Sequence, residues 1–219
     1  MSRIISSPRS EILVATHNPG KVRELQDALR SLPIKLRSLN EFPNSLPVDE
    51  LGETYEENAV AKALGYARQT GVCSLADDSG LEVDALGGMP GVRSACFAGD
   101  HASDTERIER LLRDLSQHSE NDRSASFVCC MAFAGWQKQE NPMKGEPRLL
   151  KITQAKCEGV IATSPSGDNG FGFDPVFIPA GYDATFAELP PEVKARISHR
   201  ALAFAAMRTF LERWLSSLS

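Results

Sequence analysis

The stretch EILVATHNPGKVRELQDALRSLPIKLRSL, residues 11–39, decides how the rest of the chain is read. Its first six residues, Glu11 to Thr16, form a short run of β type, punctuated by His17-Asn18-Pro19-Gly20. Val22, Leu25 and Leu29 then recur at helical spacing. A second apolar segment, Ile34 to Leu39, supplies the parallel neighbour that a strand–helix–strand unit requires. The reading is βαβ.

Working outward, Asn40 to Gly52 carries Pro43 and Pro47 and reads as loop. Thr54 and Glu57 stand at capping-box spacing, and Ala59, Ala63, Tyr66 and Ala67 continue one face of a helix of about four turns. Val72 to Ala76 reads as a strand ending at Asp77-Asp78-Ser79-Gly80, after which Leu81 to Asp84 alternates like a half-exposed strand. Gly87 to Gly91 suits a loop, and Ser103 with Glu106 opens a helix bearing Ile108, Leu111, Leu112 and Leu115. Ala125 to Ala134 is almost wholly apolar, as in a central strand buried on both faces. Residues 135 to 148 read as a long polar hairpin connection, and Leu149 to Glu158 as the strand that pairs back. Ser164 to Gly172 is small and flexible, Phe173 to Ile178 is aromatic, and Pro190-Pro191 introduces one last helix, from Glu192 to Leu215. The fold class is α/β with a largely continuous mixed sheet, expected as a single domain over residues 1–219 with residues 1–10 a flexible N-terminus.

The 219 residues are 42% hydrophobic and 24% charged, the composition of an ordinary globular protein. The net charge of −5 argues against a surface built for a nucleic-acid polymer, while leaving room for a local basic pocket. No apolar run reaches the length of a membrane span, and the first residues lack a signal-type apolar stretch, so a cytoplasmic location is expected. The five cysteines lack C-x-x-C spacing, which supports neither a disulfide framework nor a zinc ribbon. Cys129-Cys130 reads as core.

Five groups of residues have chemistry to offer. Thr16-His17-Asn18-Pro19-Gly20-Lys21 lies between a strand and a helix start, where backbone N–H groups and a lysine suit phosphate. It is not a Walker A loop, because Ala15 and Val22 stand where a glycine and a Ser or Thr are needed; a tight Asn-Pro-Gly turn with a solvated lysine explains it equally well. Asp77-Asp78, at the end of a strand, offers the hard oxygen donors that Mg²⁺ takes together with substrate phosphates, against a self-capped Asp-Ser-Gly turn. Asp49, Glu50, Glu53, Glu56 and Glu57 form a loose acidic group, with Glu57 accounted for by capping. Gly170-Phe171-Gly172-Phe173-Asp174 can present a ring to a planar base with a carboxylate beside it, core packing being the alternative. Lys194, Ser198, His199 and Arg200 sit where cations oppose the helix dipole, so an acceptor-rich ligand suits them better than the helix does. Ser198-His199 has no nucleophile elbow, and its spacing within one helix is wrong for a mutual hydrogen bond.

In order along the chain, ATHNPGKVREL, ETYEENAVAKA, LADDSGLEVDALGGMPGVRSA, GFGFDPVF and ELPPEVKARISHRALA closely resemble the inosine triphosphate pyrophosphatase family. The resemblance runs from about Ile12 to the last helix. It implies an elongated two-lobed α/β subunit with a cleft between the lobes, acting as a homodimer with Mg²⁺. The implied activity is hydrolysis of ITP, dITP and XTP to the monophosphate and pyrophosphate. By matching motif it implies that Thr16, His17, Asn18, Pro19, Gly20 and Lys21 hold the phosphates, and that Asp78 is the catalytic acceptor and a metal ligand. Asp49, next to Glu50, would be the second metal carboxylate. Ser79, Phe171, Gly172, Phe173, Asp174, Lys194, His199 and Arg200 would contact substrate. An ionised Asp174 facing N1 of the base, with His199 or Arg200 donating to O6, would favour hypoxanthine and xanthine over adenine. The competing readings are a pyrophosphatase for other nucleotides and a regulatory module that binds without hydrolysis. Adjacent Asp77 and Asp78 speak against the second, since a site that only binds phosphates has little reason to place two carboxylates beside them.

Overall fold

The computed structural model of the chain describes residues 11–119, 122–136 and 145–218. Residues 1–10, and residues 137–144 of the expected hairpin connection, lie outside the described residues. The strands are β1 (Glu11–Val14), β2 (Lys35–Ser38), β3 (Cys73–Val83), β4 (Ser124–Gly135), β5 (Arg148–Ile161) and β6 (Phe177–Pro179). The helices are α1 (Pro19–Leu29), α2 (Tyr55–Thr70), α3 (Asp104–Leu115), α4 (Pro191–Ile197) and α5 (His199–Leu218). The six strands are ordered β2-β1-β3-β4-β5-β6. β1 pairs parallel with both β2 and β3, and β5 pairs antiparallel with β6, so the sheet is mixed as expected.

The described residues form two compact units, one drawn from residues 11–78, 130–136, 145–153 and 204–218, the other from residues 79–119, 122–129 and 154–203. In the first, the βαβ reading of residues 11–39 holds: Ile12 pairs with Leu36 on one side and with Cys73 on the other. Ile12, Leu13 and Val14 are all buried, as a parallel strand covered on both faces requires. Helix α1 starts where Asn18 Oδ1 accepts the N–H groups of Gly20 (2.9 Å) and Lys21 (3.1 Å), with Pro19 in the first turn, where its missing N–H costs nothing. Helix α2 starts on the predicted capping box: Thr54 Oγ1 accepts from Glu57 N at 3.2 Å, and Glu57 Oε2 accepts from Thr54 N at 3.1 Å. It ends at Gly71, whose φ of +68° suits a residue without Cβ. Phe133 of β4 packs edge-on against Trp214 of α5, ring centroids 5.0 Å apart.

The second unit is built around Leu81, Val83, Ile108, Leu111, Phe127, Phe177 and Phe186. The rings of Phe127 and Phe177 lie 4.6 Å apart, and those of Phe177 and Phe186 5.3 Å. Helix α3 opens on its predicted capping box of Ser103 and Glu106.

Two expectations are corrected. Asp77-Asp78-Ser79-Gly80 is not a turn after a strand but the middle of β3, which runs unbroken to Val83. Local turn propensity loses to sheet pairing here, because β4, the neighbour of β3, is itself twelve residues long. The pairing of β3 with β1 ends at Leu75, whose carbonyl accepts from Ala15 N. The two aspartates thus still lie beyond the carboxyl end of β1. The second correction concerns the last helix, which is two. Ser198 is extended (φ −67°, ψ 153°); its N–H closes α4 on the Lys194 carbonyl, and its Oγ accepts from Ala201 N at 3.2 Å to start α5. The break places His199 and Arg200 in the first turn of α5.

Candidate active site

In the first unit the carboxylates of β3 meet lysines from two helices. Lys21 Nζ, in the first turn of α1, lies 3.1 Å from Asp77 Oδ2, whose side chain is fully buried. On α2, Asn58 and Lys62 stand one turn apart on the buried face and turn polar groups toward β3. Asn58 Nδ2 donates to Asp78 Oδ2 at 3.2 Å, and Lys62 Nζ to Asp78 Oδ1 at 3.3 Å. The Lys62 ammonium also reaches Glu50 Oε2 at 2.7 Å.

The loop bearing Glu50 is anchored by the Asn58 amide, which accepts from Gly52 N at 2.8 Å and donates to Gly52 O at 3.4 Å. A Cβ on Gly52 would lie 2.6 Å from Glu57 Cβ, so glycine is what permits this approach.

Burial pushes the Asp78 carboxyl above its ordinary range, and Glu50 adds to this, while Lys62, Lys21 and the Asn58 amide pull the other way. Burial alone would lower the Lys62 ammonium, but Asp78, Asp77 and Glu50 together outweigh it and hold the group raised. The result is a low-dielectric cluster of carboxylates balanced by two lysines, in which anionic oxygen and phosphate chemistry can both be served.

Of the expected phosphate-binding residues, Thr16, His17, Asn18 and Lys21 come together around the start of α1. Backbone N–H groups are not what this start offers. Asn18 Oδ1 already takes those of Gly20 and Lys21, and its carbonyl takes that of Val22. Thr16 Oγ1 accepts from Asn18 N at 3.2 Å, and the His17 ring meets Tyr66 edge-on. Among the acidic residues, Asp49 is exposed, Glu50 is the one held by Lys62, and Glu57 is committed to the N-terminus of α2. Asn58 and Lys62 escaped the sequence reading. Their signal was there: two polar residues at i, i+4 interrupt the face of Tyr55, Ala59, Ala63 and Tyr66. Cys130 is core, its thiol pushed up to about 11 by burial.

In the second unit, Asp174 and Lys194 are both buried, and Lys194 Nζ sits 2.5 Å from Asp174 Oδ2. The same oxygen accepts from Phe171 N at 2.8 Å. Lys194 Nζ lies 4.7 Å from the centroid of the Phe171 ring, and Arg200 Cζ 5.6 Å. Arg200 Nη2 also donates to Ser79 Oγ at 2.8 Å. His199 is stacked on Phe127 at 4.6 Å with the rings 10° from parallel. Phe173 is core, only 4% exposed, whereas Phe171 is half-buried.

Gly170 has φ +82°, and a Cβ there would meet Asp174 Oδ2 at 2.0 Å. Gly170→Ala is therefore expected to cost at least the ~1–3 kcal/mol of a left-handed non-glycine residue. The check is a lowered urea midpoint at unchanged slope; an unchanged midpoint would show that the loop relaxes without strain.

The family model for the Ham1 family matches residues 12–210. A dITP/XTP pyrophosphatase of Oceanobacillus iheyensis is 42% identical over 209 residues, 95% of this chain and 99% of that protein. One from Coxiella burnetii is 44% identical over 202 residues, covering 92% of this chain and 96% of the relative. Among solved structures, a HAM1 protein from Coxiella burnetii matches with a TM-score of 0.80 at 43% identity, over 93% of this chain and 98% of that one. The Staphylococcus aureus Ham1 protein matches with a TM-score of 0.77 at 37% identity, over 92% and 98%.

Proposed function

The chain belongs to the Ham1 family, and from that premise we propose that it hydrolyses ITP, dITP and XTP to the monophosphate and pyrophosphate. The resemblance carried by the sequence motifs and the full-length dITP/XTP pyrophosphatase relatives agree on this reading. The observation that carries it furthest is the Lys194 ammonium, fixed by Asp174 beside the Phe171 ring. A 6-oxopurine presents an acceptor at O6 and a proton on N1, whereas adenine presents an amino donor at position 6 and a bare N1. A buried ammonium donor therefore favours the oxo base and meets adenine donor to donor. Guanine shares O6 and N1–H with hypoxanthine, so its exclusion falls on contacts to the 2-amino group, not on Lys194.

The phosphate end of the substrate is assigned to the side chains of Thr16 and Lys21 rather than to the capped backbone of α1. Hydrolysis breaks the bridge between the α- and β-phosphates. The oxygen of water joins phosphorus, its proton passes to a carboxylate for which we name Asp78, and pyrophosphate leaves. Lys21 and Lys62 offset charge that builds on the phosphate oxygens.

The donor set suits a divalent cation. Asp78 and the Asp49–Glu50 pair offer hard oxygens, and a buried carboxylate raised by desolvation is stabilised by a nearby cation. Among the described residues, no group of three His, Cys, Asp or Glu forms an all-protein cage. Mg²⁺ needs none, since it takes one or two carboxylates together with substrate phosphates. Bound there by Asp78 and a residue of the 49–50 pair, it would supply Lewis-acid polarisation of a phosphoryl oxygen.

A homodimer and a cytoplasmic location complete the proposal. Among the described residues, no helix is long and apolar enough to cross a membrane.

The test is release of pyrophosphate, coupled to an added inorganic pyrophosphatase, across ITP, dITP, XTP, GTP, ATP and dUTP with Mg²⁺. The oxopurine triphosphates ITP, dITP and XTP should be the preferred substrates. Preference for dUTP or equal rates on ATP would replace this reading with that of a pyrophosphatase for other nucleotides, and nucleotide binding without release with that of a regulatory module.

A further inference from the structure

Phe171 is clamped twice. Its own N–H is held by Asp174 Oδ2 at 2.8 Å, and the next N–H along, that of Gly172, is held by Asp104 Oδ2 at 2.6 Å. Asp104 is the first residue of α3, 68 positions away in the chain. Its carboxylate is not occupied in capping α3, because Ser103 and Glu106 already close the capping box there. Instead Arg107 orients it: Nη1 donates to Asp104 Oδ1 at 2.6 Å, and Nη2 is tied to the Ala102 carbonyl at 2.6 Å. Gly172 itself takes φ +64°, a conformation in which other residues are strained, so this peptide is set in an orientation that the sequence had to accommodate.

We infer that Asp104 is a positioning residue for the purine platform, which fixes the Phe171 ring for base stacking by holding the Gly172 N–H. The inference rests on the function proposed above and adds to it a residue that touches neither base nor phosphate. Stacking on a ring face is tolerant of base identity, because every base has such a face. Asp104 therefore sets how tightly a purine nucleotide is held, while Lys194 and Asp174 set which one. The platform lies on the base, away from the bond that breaks, so its loss weakens substrate and transition state alike. The Asp104 side chain is about half-exposed, and a hydrogen bond at such a site contributes little to folding.

The experiment compares wild type, Asp104→Ala and Asp104→Asn by steady-state kinetics on ITP, by the inhibition constant of ATP and by thermal midpoint. Asp104→Ala is expected to raise KM for ITP about tenfold, the cost of ordering the released ring each time a nucleotide binds. The ATP inhibition constant should rise by the same factor, with kcat, the ratio between the two nucleotides and the midpoint nearly unchanged. Asp104→Asn keeps an oxygen that accepts from Gly172 N–H and should restore most of the affinity. An active Asp104→Ala enzyme with unchanged KM overturns the inference alone. So does a joint fall of kcat and midpoint that asparagine does not relieve, which would make Asp104 a support of the fold. A wild-type chain inactive on every purine triphosphate overturns the proposed function, and this inference with it.

Discussion

Asp78→Asn is expected to lower turnover on ITP by about 10²–10⁴, the range for a lost acid–base group, while the protein stays folded. The first half of that expectation follows from what the change removes: the proposed acceptor for the proton of water, and a charge toward the proposed metal. The second half follows from the surroundings. Asp78 is buried, and burial holds its carboxyl above the ordinary range. A carboxylate whose pKa is higher folded than unfolded binds its proton more readily in the native state, so it detracts from stability once pH rises through that interval. A neutral amide is spared that cost. The asparagine oxygen still accepts from Asn58 Nδ2, and Lys62 keeps Glu50 at 2.7 Å. The thermal midpoint without nucleotide should thus stay level or rise at neutral pH. The measurement is kcat by coupled pyrophosphate release together with the midpoint. Turnover within tenfold of wild type would remove Asp78 from the chemistry, and a collapsed midpoint would show that the charge holds the cluster together.

Local order along the chain was the legible part. The helix starts at Asn18, Thr54 and Ser103 are set by side chains within three residues of the N–H groups they cap, so their signals are contiguous. The parallel pair β1–β2 follows from an apolar run, a capped helix and a second apolar run. What failed was wherever distant residues decided the outcome. Asp77-Asp78-Ser79-Gly80 has the composition of a turn, and only a long neighbouring strand, with Lys21 and Lys62 to neutralise the carboxylates, keeps it extended. Lys62 carries no local signal of its role, because its partner Asp78 lies sixteen residues on. Ser198 looked like helix interior, because nothing in PPEVKARISHRALA announces a break except a serine able to cap the next helix. Asp174 is expected from the sequence to face the base; the structure shows one of its oxygens accepting from Lys194 and the Phe171 N–H. In the function proposed above, the donor to the base is therefore the lysine that the acid holds.

Lys194→Met is expected to lower kcat/KM on ITP by about 10- to 100-fold, the worth of a hydrogen bond from a charged donor, and to leave ATP no worse. The ITP preference should narrow by the same factor, and Asp174→Asn should narrow it in the same direction by releasing the ammonium from its place. Stability complicates either variant alone. Asp174 is 2% exposed, and removing the lysine takes away the ammonium that sits 2.5 Å from this buried carboxylate. Breaking a buried pair in this way costs about 3–5 kcal/mol, a large part of the ~5–15 kcal/mol that holds a domain folded. The combination Asp174→Asn with Lys194→Met separates the two effects. It removes both charges, keeps an oxygen for the Phe171 N–H, and by the same argument recovers most of the denaturant midpoint, since replacing both partners of a buried ion pair is close to neutral. It supplies no donor for O6, so the preference for ITP stays narrow although the fold is restored. If the double variant regained selectivity along with stability, base choice would depend on the order of the loop rather than on the ammonium. If the single Lys194→Met left the ratio untouched, the donor to O6 would have to be sought at His199 or Arg200.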